Sequence, residues 1–440
     1  QWRNAQCLPP RRLAPREGLR GGRCETFRLL FDLEQHRERK MFYIDKNSLY
    51  PTVAIKEEYP VGKGETLMGE ELRHRLSIDG RGVVDRRDGG QCLGLLQATV
   101  EAPDSVFLPL LPVMSDQKLM FGLCSTCLKT RKGQFCAHQG SQRYLTDVWT
   151  IPEVVFALQH GYKLVRAHEA LIYKERGAIF KSFYAGLARM KLESEPLPAD
   201  VTSVEEYVAR LNAEMPWIEL EARNMIPNPG RRQFAKLLQN AGLGKLSQGD
   251  GKRQTAYVKH WKELMDLRHD PRINIIRINP IHDSLAEVVY EKKASLLGLH
   301  RNTQVVVYSH VTAYARIDMM RDMLELMKKG YRLFYTDTDS IVFDMPRDEV
   351  TQFEVETRLD SPVYGLYKKE TKGDILSFCS LGCKNYSIVT DAREHIIKER
   401  GFSLSGDQTR QLLTLEKMKA MTEAFLRKEA SEEVAHQFSM

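Results

Sequence analysis

The apolar and polar positions of the chain follow two different periods, which together predict a mixture of helices and strands. Apolar residues at steps of three and four predict a helix over 312–329, which ends at a Lys-Lys-Gly signal. The run 41–44 predicts a buried strand that ends at Asp45. Strand-forming residues on both sides of 337–339 predict two strands over 331–343, with carboxylates in the turn between them.

Start and stop signals define further elements. The Asn-Pro-Gly sequence at 228–230 ends one segment and predicts a helix over 231–247. Another helix is predicted from Pro152, because proline is tolerated in a first helical turn. Residues 408–438 are predicted to form a charged helix, whereas the Gly- and charge-rich stretch 52–94 is predicted to be irregular.

The chain has 440 residues, a formal charge of +7 and 42% hydrophobic residues. This length predicts two or three structural units with an ample core, and the composition excludes wholesale disorder. The longest apolar run, 106–114, is much shorter than the roughly 18–20 residues that cross a bilayer, so no membrane partner is expected. The modest positive charge is compatible with a polyanionic partner.

The cysteines divide into a scattered group and a cluster. The scattered cysteines are Cys7, Cys24, Cys92, Cys379 and Cys383. The cluster has a Cys-x2-Cys and a Cys-x-His half, formed by Cys124, Cys127, Cys136 and His138. Such a set can hold a structural Zn²⁺, and ordinary reduced thiols are the alternative; both interpretations stay open. This cysteine usage predicts a reducing compartment inside a cell.

A pair of carboxylates suggests a metal site. Asp337 and Asp339 are separated by one residue, so both side chains would leave an extended backbone on the same face. Carboxylates this close repel each other unless a cation lies between them, and Mg²⁺ prefers oxygen ligands. For this triplet alone, the alternative is a solvated Asp-rich turn. Asp45 favours the metal, because it also ends a strand that is predicted to be buried.

The segments around these carboxylates resemble motifs of the family-B DNA polymerases. DKNSLYP (45–51) resembles the first palm motif of that family, Dx2SLYP. YTDTDS (335–340) resembles the third motif, YxDTDS, and the two follow the family's order. The resemblance implies that Asp45, Asp339 and Asp337 hold two Mg²⁺ ions for phosphoryl transfer.

A third segment, KLLQNAGLGK (236–245), lies between these two and resembles the second motif, Kx3NSxYG. Arg232, Lys236 and Asn240 form one stripe along the predicted helix. Such a stripe can bind a triphosphate, although basic stripes are also common as solvated faces. Gly244 would let a base pair approach the backbone closely.

Other positions gain a role from the resemblance. Lys384 and Tyr386 resemble the KxY element, which contacts the primer strand. Tyr50 would stack under the sugar and exclude a 2′-hydroxyl. Arg223 is a second candidate ligand of the triphosphate. The family's motif Ser and Tyr are replaced here by Ala241 and Leu243, so nucleotide affinity or fidelity is expected to differ.

The long spacings between motifs resemble the protein-primed branch found in phages, linear plasmids, large self-synthesising transposons and related viruses. The resemblance implies an α/β (α+β) right-hand polymerase with an antiparallel β palm, helical fingers, a small thumb and two insertions. The expected boundaries are 1–65 for the start of the palm with the first motif, 66–222 for the first insertion with the Cys/His cluster, 223–250 for the fingers helix, 251–300 for the second insertion, 301–372 for the rest of the palm, and 373–440 for the thumb.

The implied function is DNA-directed DNA synthesis from dNTPs on a primed template, at a primer 3′ or protein-primer hydroxyl. A terminal protein is a candidate partner, and a monomer is expected. An exonuclease half should precede Gly21-Gly22, and no room for it is seen, so proofreading is not expected in this chain. Two alternatives remain: another palm polymerase such as a reverse transcriptase, and a catalytically decayed nucleic-acid-binding remnant of a mobile element or virus.

Overall fold

The computed structural model of the chain describes residues 12–104, 106–116, 118–130, 136–199, 201–248, 253–282, 284–293, 304–400 and 414–426, and the structural statements below concern these residues. The strands in chain order are β1 (Cys24–Thr26), β2 (Leu30–Asp32), β3 (Arg39–Lys46), β4 (Tyr59–Val61), β5 (Glu65–Met68), β6 (Leu76–Asp79), β7 (Gly82–Asp85), β8 (Gly90–Gln91), β9 (Leu93–Glu101), β10 (Pro112–Ser115), β11 (Lys118–Phe121), β12 (Leu145–Thr150), β13 (Lys163–Tyr173), β14 (Glu175–Gly177), β15 (Gln254–Val258), β16 (Ile273–His282), β17 (Leu285–Lys292), β18 (Arg332–Asp337), β19 (Ser340–Pro346), β20 (Tyr367–Lys369), β21 (Ile375–Gly382), β22 (Asn385–Thr390) and β23 (His395–Lys398).

The α-helices are α1 (Leu49–Lys56), α2 (Gly69–Arg75), α3 (Ser125–Thr130), α4 (Ile151–Gln159), α5 (Lys181–Glu193), α6 (Val204–Glu214), α7 (Pro229–Lys245), α8 (Trp261–His269), α9 (Val305–Lys328), α10 (Val350–Thr357) and α11 (Leu415–Leu426). Short 3-10 helices lie at Pro15–Gly18, Leu33–Gln35, Gly140–Gln142, Ala222–Asn224 and Arg347–Glu349. Among the helices described, none combines the length and the apolar character needed to cross a membrane.

The central sheet has the strand order β1-β18-β19-β3-β20, and all of its neighbouring strands are antiparallel. Alternate side chains of a strand point to opposite faces, so each strand contributes to two cores. On one face, Phe42 and Phe343 stack and pack into the main core, which includes α9. On the other face, Met41 and Val342 pack against Phe378 of the sheet β2-β21-β22-β23.

Two further sheets lie in the segments expected to be insertions. The sheet β12-β9-β13-β5 carries a strand, β9, whose residues 94–100 are all buried. The sheet β15-β17-β16 lies in the segment expected to be the second insertion. In its strand β16, every side chain from Arg277 to His282 is exposed to solvent. Helix α5 falls in the expected first insertion but packs on α7, which carries the second motif.

Several predicted elements are confirmed with small shifts. Strand β3 ends just after Asp45, β18 and β19 form the predicted hairpin, and α4 and α7 begin within two residues of their predicted starts. Helix α7 begins where predicted because the Asn228 side chain accepts a hydrogen bond from the backbone N–H of Arg231. Helix α9 starts earlier than predicted, because the valines at its start are buried helix residues.

The prediction of an irregular segment over 52–94 was wrong. The segment contains most of α1, the strands β4 to β8 and helix α2. Its apolar residues are sparse, but Leu67, Leu72 and Val83 are buried in the main core and hold these short elements in place. Helix α11 confirms the described part of the helix predicted over 408–438; the other positions of that range lie outside the described residues.

Candidate functional site

The candidate active site lies where β3 and β19 end side by side. Asp45 pairs with Ser340 across these antiparallel strands, and the backbone N–H of Lys46 donates to the carbonyl of Asp339 at 2.7 Å. This register brings Asp45 and Asp339 to one point of the sheet, although 294 positions separate them in the sequence. Both carboxylates line the same clefts.

Asp337 and Asp339 do not leave an extended backbone on the same face, and that expectation was wrong. Asp337 pairs with Ser340 at the end of the hairpin, so Thr338 and Asp339 form a two-residue turn. Thr338 has a φ of 63°, and the backbone N–H of Asp339 donates to the carbonyl of Asp337 at 2.8 Å. The turn reverses the chain, and therefore the two carboxylates have different surroundings.

Asp337 is bound by a lysine from another sheet. The Nζ atom of Lys384 lies 2.8 Å from Oδ1 and 2.6 Å from Oδ2 of Asp337. Lys384 lies in the turn between β21 and β22, and its backbone N–H donates to the hydroxyl of Tyr335 at 2.9 Å. Asp337 thus already has a cationic partner, whereas Asp45 has a more distant one, the Nζ of Lys368 at 3.5 Å.

Burial and mutual repulsion raise the pKa values of the other two carboxylates. The pKa of Asp45 is raised to about 6, first by burial and then by the charge of Asp339. The pKa of Asp339 is also raised, by burial and by the charge of Asp337. A site of buried carboxylate oxygens that raise one another's pKa is stabilised by a cation, and hard divalent ions such as Mg²⁺ prefer oxygen ligands.

A cleft of about 580 Å³ joins these carboxylates to the basic stripe of α7. Arg232, Lys236 and Asn240 line it together with Asp45 and Asp339. The sequence placed the stripe and the carboxylates in separate motifs, and the packing of the chain brings them to one cleft. Two further lysines of this cleft, Lys191 and Lys368, were not among the predicted residues, and nothing in their local sequence distinguishes them.

Lys191 lies on α5, where it is largely enclosed. Its Nζ is 3.3 Å from the hydroxyl of Ser48, and it lies over the ring of Tyr364. Burial is the largest cause of its lowered pKa, and the nearby charges of Arg232 and Lys236 lower it further. Five carboxylates also line this cleft, and Arg232 pairs with Glu195 at 3.1 Å. The basic side chains among them can bind the phosphates of a polyanionic ligand.

A second cleft of about 540 Å³ lies on the other side of the carboxylates. Its lining residues include the predicted Lys384 and Tyr386, and also Lys398 and Arg400. Tyr386 is 3% exposed, and its hydroxyl hydrogen-bonds the hydroxyl of Tyr43 at 3.0 Å. The basic side chains of this cleft therefore lie near the carboxylates, and side chains of this kind can bind phosphate groups.

The remaining predicted residues are not all brought to these clefts. Tyr50 is half-buried in the first turn of α1, and burial raises its pKa to about 12. Gly244 is half-buried on α7, with no atom within 4 Å of a Cβ placed there. Arg223 is exposed, pairs with Glu221 at 2.7 Å and lines neither cleft. Leu243 is 3% exposed and belongs to the main core.

Three motif residues adopt the left-handed backbone region, which is uncommon for residues other than glycine. They are Ser48 with a φ of 52°, Thr338 with a φ of 63° and Lys384 with a φ of 62°. Ser48 caps the start of α1, Thr338 lies between Asp337 and Asp339, and Lys384 lies in the turn between β21 and β22. Backbone conformations of this kind cluster at functional sites, because the surrounding structure must maintain them.

The Cys/His cluster is assembled as a candidate zinc site. The Nδ1 atom of His138 lies 3.6 Å from the Sγ of Cys124, 3.4 Å from that of Cys127 and 3.5 Å from that of Cys136. All four ligand atoms lie within 4.8 Å of one another. A tetrahedral zinc with its usual bond lengths separates sulfur from nitrogen by about 3.6 Å, so these distances fit one Zn²⁺ ion.

The comparisons with known proteins agree with the resemblance seen in the motifs. The profile of a family described as DNA polymerase type B, organellar and viral, matches residues 14–201. A probable DNA polymerase of Podospora anserina is 33% identical over a segment that covers 24% of this chain and 9% of that protein. The chain thus spans only a small part of this relative.

Among solved structures, the fold is similar to that of phi29 DNA polymerase. The orthorhombic crystal form of that enzyme has a TM-score of 0.57 and 14% sequence identity, over 92% of this chain and 57% of the phi29 chain. Its complex with primer-template DNA and incoming nucleotide substrates has a TM-score of 0.53 and 14% identity over the same shares. The expected right-hand polymerase fold is thereby confirmed, and the chain spans somewhat more than half of the phi29 chain.

Proposed function

We propose that this chain is a DNA-directed DNA polymerase of the organellar and viral type B family, a proposal that the match of that family's profile to residues 14–201 supports. It adds deoxynucleotides to a primer 3′-hydroxyl, or to a protein-primer hydroxyl, and releases pyrophosphate. One observation carries the proposal: Asp45 and Asp339 share a cleft with Lys236 and Asn240, although these residues come from separate motifs.

Two Mg²⁺ ions fit the carboxylates of this site. Asp45 and Asp339 supply the oxygen ligands; burial, and then the charge of a neighbouring carboxylate, raises the pKa of each, and a divalent cation would stabilise the charged forms. Asp337 is the third ligand, and Lys384 must release part of its carboxylate for that role. When bound, the two ions lower the pKa of the attacking hydroxyl and neutralise charge on the triphosphate.

The nucleotide lies against α7 and α5 in this proposal. Lys236, Arg232 and Lys191 bind the triphosphate through charge-assisted hydrogen bonds, and Asn240 hydrogen-bonds beside it. Arg223 is left out of this set, because it lies outside the cleft in contact with Glu221. Positioning and charge neutralisation supply most of the rate enhancement, so no side-chain nucleophile is required.

The primer strand lies in the second cleft. Lys384 and Arg400 contact its phosphates, while the edge of Tyr386 borders the terminal sugar. Tyr50, in the first turn of α1, is proposed from its motif alone to exclude a 2′-hydroxyl. Gly244 stays a proposed point of close approach for the DNA, because the space above it is open.

The Cys/His cluster holds one structural Zn²⁺ ion in this proposal. All four ligands are protein atoms, so the site is closed and has no position for a substrate. Helix α3 carries Cys127, and the backbone after His138 returns to the same place through hydrogen bonds to the carbonyl of Gln142. The ion therefore closes a loop that contains few apolar residues of its own.

Several finer expectations stay predictions. They are the protein primer, the monomeric state, the lack of a 3′–5′ exonuclease in this chain, the origin in a virus or transposon, and the domain boundaries. The packing of α5 on α7 supports one change in these boundaries: residues 181–193 would belong with the fingers helix and not with the first insertion.

Primer extension tests the proposed function. The purified chain receives a primed DNA template, dNTPs and Mg²⁺, beside the variant Asp339→Asn and the matched control Asp348→Asn, which changes an exposed aspartate outside both clefts. We expect extension by the parent and by Asp348→Asn, and none by Asp339→Asn. If the parent binds DNA but does not extend the primer, the chain is a decayed nucleic-acid-binding remnant. Extension of an RNA template alone would instead identify a reverse transcriptase.

A further inference from the structure

We propose that Cys24 and Cys383 form an oxidation-sensitive thiol pair, which closes to a disulfide and holds the turn of Lys384 against Asp337. The covalent step rests on the contact between Cys383 and Cys24 and on the exposure of Cys383. Its consequence for DNA synthesis rests on the proposed function.

The two cysteines are far apart in the sequence and adjacent in the fold. The thiol of Cys383 donates to the backbone carbonyl of Cys24 at 2.9 Å, and the thiol of Cys24 hydrogen-bonds the hydroxyl of Tyr335 at 3.3 Å. Neither forms a disulfide in this structure, and Cys383 is exposed to solvent. A peroxide therefore reaches Cys383 directly, and the residue that Cys383 contacts carries a second thiol.

The other described cysteines have different surroundings. Cys379 and Cys92 are buried, and the remaining ones belong to the Cys/His cluster. The hydrogen bond from the thiol of Cys24 also holds the pKa of Cys383 below its usual range, which favours the reactive thiolate. The thiolate of Cys383 is thus the group that reacts first with a peroxide. The thiol of Cys24 then reacts with the oxidised Cys383 to form the disulfide.

The oxidation is balanced with a peroxide as the oxidant. The thiolate of Cys383 attacks one peroxide oxygen, the O–O bond breaks, and the leaving oxygen departs as water or an alcohol after it gains a proton. The thiol of Cys24 then attacks the sulfur of the resulting sulfenic acid, the S–O bond breaks and water is released. Two thiols lose two electrons and two protons in all, and a dithiol reductant reverses the change.

The position of this pair connects it to the candidate active site. Cys24 lies opposite Asp337 in the β1–β18 pairing, and Cys383 directly precedes Lys384. The ion pair between Lys384 and Asp337 is therefore flanked by the two sulfurs. A disulfide joins β1 to the β21–β22 turn and keeps Lys384 on Asp337, so this lysine is less free to contact a primer phosphate.

The test compares oxidised and reduced protein. The full chain is treated with hydrogen peroxide, free thiols are blocked, and peptide mapping locates the disulfide. We expect a peptide pair that joins Cys24 to Cys383, and a loss of primer extension and of primer-template affinity of about tenfold, a typical size for coupling between two sites. Both should recover after reduction with dithiothreitol.

The variants Cys24→Ser and Cys383→Ser serve as separate controls. Each should keep its primer extension after peroxide treatment, and because Cys383 is on an exposed turn its variant is expected to fold. The proposal is overturned if no peptide joins the two cysteines, if the linked protein binds primer-template DNA as the reduced protein does, or if either variant loses activity with the parent. The proposal would also be overturned if the loss of primer extension after peroxide treatment followed the release of zinc from the Cys/His cluster. If the reduced parent does not extend primers, the proposed function fails, and the peptide map and DNA affinity still decide this proposal.

Discussion

Arg316 of α9 and Glu153 of α4 form a buried ion pair, with Nη2 and Oε1 2.7 Å apart and only 1% and 4% of their side chains exposed. The same guanidinium donates through Nη1 to the carbonyls of Arg20 at 2.6 Å and Gly21 at 2.7 Å. This pair therefore holds the glycine segment, and Gly22 of that segment lies against Thr338 in the turn between Asp337 and Asp339. Helix α4 is thereby connected to the turn that carries Asp339.

Glu153→Gln is expected to destabilise the protein by about 3 kcal/mol, because it leaves the buried guanidinium without a counter-charge. Urea unfolding followed by tryptophan fluorescence measures this, since Trp149 is buried close to the change. Glu356→Gln is the control, because its pair with Lys329 is about half exposed on both sides. Equal shifts in the two variants would contradict the importance of the buried pair.

Gly22→Ala is expected to lower the rate of primer extension by about tenfold to a hundredfold, as small displacements of reacting groups do. A Cβ on Gly22 would lie 2.8 Å from Cγ2 and Oγ1 of Thr338, and would displace the turn that carries Asp339. Gly21→Ala is the matched control, because a Cβ there meets no atom within 4 Å. The rate of single-nucleotide incorporation is measured for both variants. Similar rates for Gly22→Ala and Gly21→Ala would contradict the expected contact with Thr338.

Lys191→Met is expected to raise the KM for dNTPs by about tenfold to a hundredfold, the size of a lost hydrogen bond to a charged group. The control is Lys181→Met, which removes an exposed lysine from the other end of α5. Steady-state kinetics with varied dNTP concentration separate KM from kcat. A change in kcat alone, with KM kept, would place Lys191 outside the nucleotide site.

Acidification is expected to destabilise the fold through His310. This side chain is completely buried, and burial lowers its pKa to about 4. Its Nδ1 donates to the carbonyl of Val306 at 2.8 Å, and its Nε2 accepts from the N–H of Gly94 at 3.2 Å, so the folded state holds the neutral ring. The unfolded chain takes up the proton first as the pH falls, and stability is lost between the unfolded pKa of about 6.5 and the folded value.

The loss from His310 amounts to about 2 kcal/mol between about pH 7 and about pH 5. Below the folded pKa both states bind the proton, so the loss reaches a limit. Urea midpoints at both pH values, for the parent and His310→Gln, measure the difference. The variant should show a smaller dependence on pH, and an unchanged dependence would assign the effect to other groups.

Metal analysis is expected to find about one zinc per chain, which Cys127→Ser should release because a structural site needs all four ligands. Cys92→Ser is the control, because it changes a buried cysteine outside the cluster. A zinc content below about half an equivalent in the parent would favour ordinary reduced thiols.

The residues that sequence reasoning identified best are those whose role depends on their near neighbours. Strand β3 and the β18–β19 hairpin follow from local apolar patterns, and the cap of α7 follows from Asn228 and Pro229. The short strands β4 to β8 and helix α2 were missed because each buries at most two apolar residues, too few to produce a period.

The candidate site required the tertiary structure wherever distant segments meet. Lys191 and Lys368 are ordinary lysines in the sequence, and only the packing of α5 and β20 brings them to Asp45. Asp337 was expected to share a face with Asp339, but the two-residue turn separates them, and Lys384 binds Asp337 from another sheet.

The amino-acid sequence by itself determined which side chains are candidates for the proposed chemistry: the carboxylates, the basic stripe of α7 and the Cys/His set. The tertiary structure decided which of them meet, and it paired Cys24 with Cys383, two of the cysteines that look scattered in the sequence. The physical reason is that motif chemistry and helix or strand periods are properties of neighbouring residues. Strand register and helix packing are set by the burial of apolar surface over the whole chain, which no short segment contains.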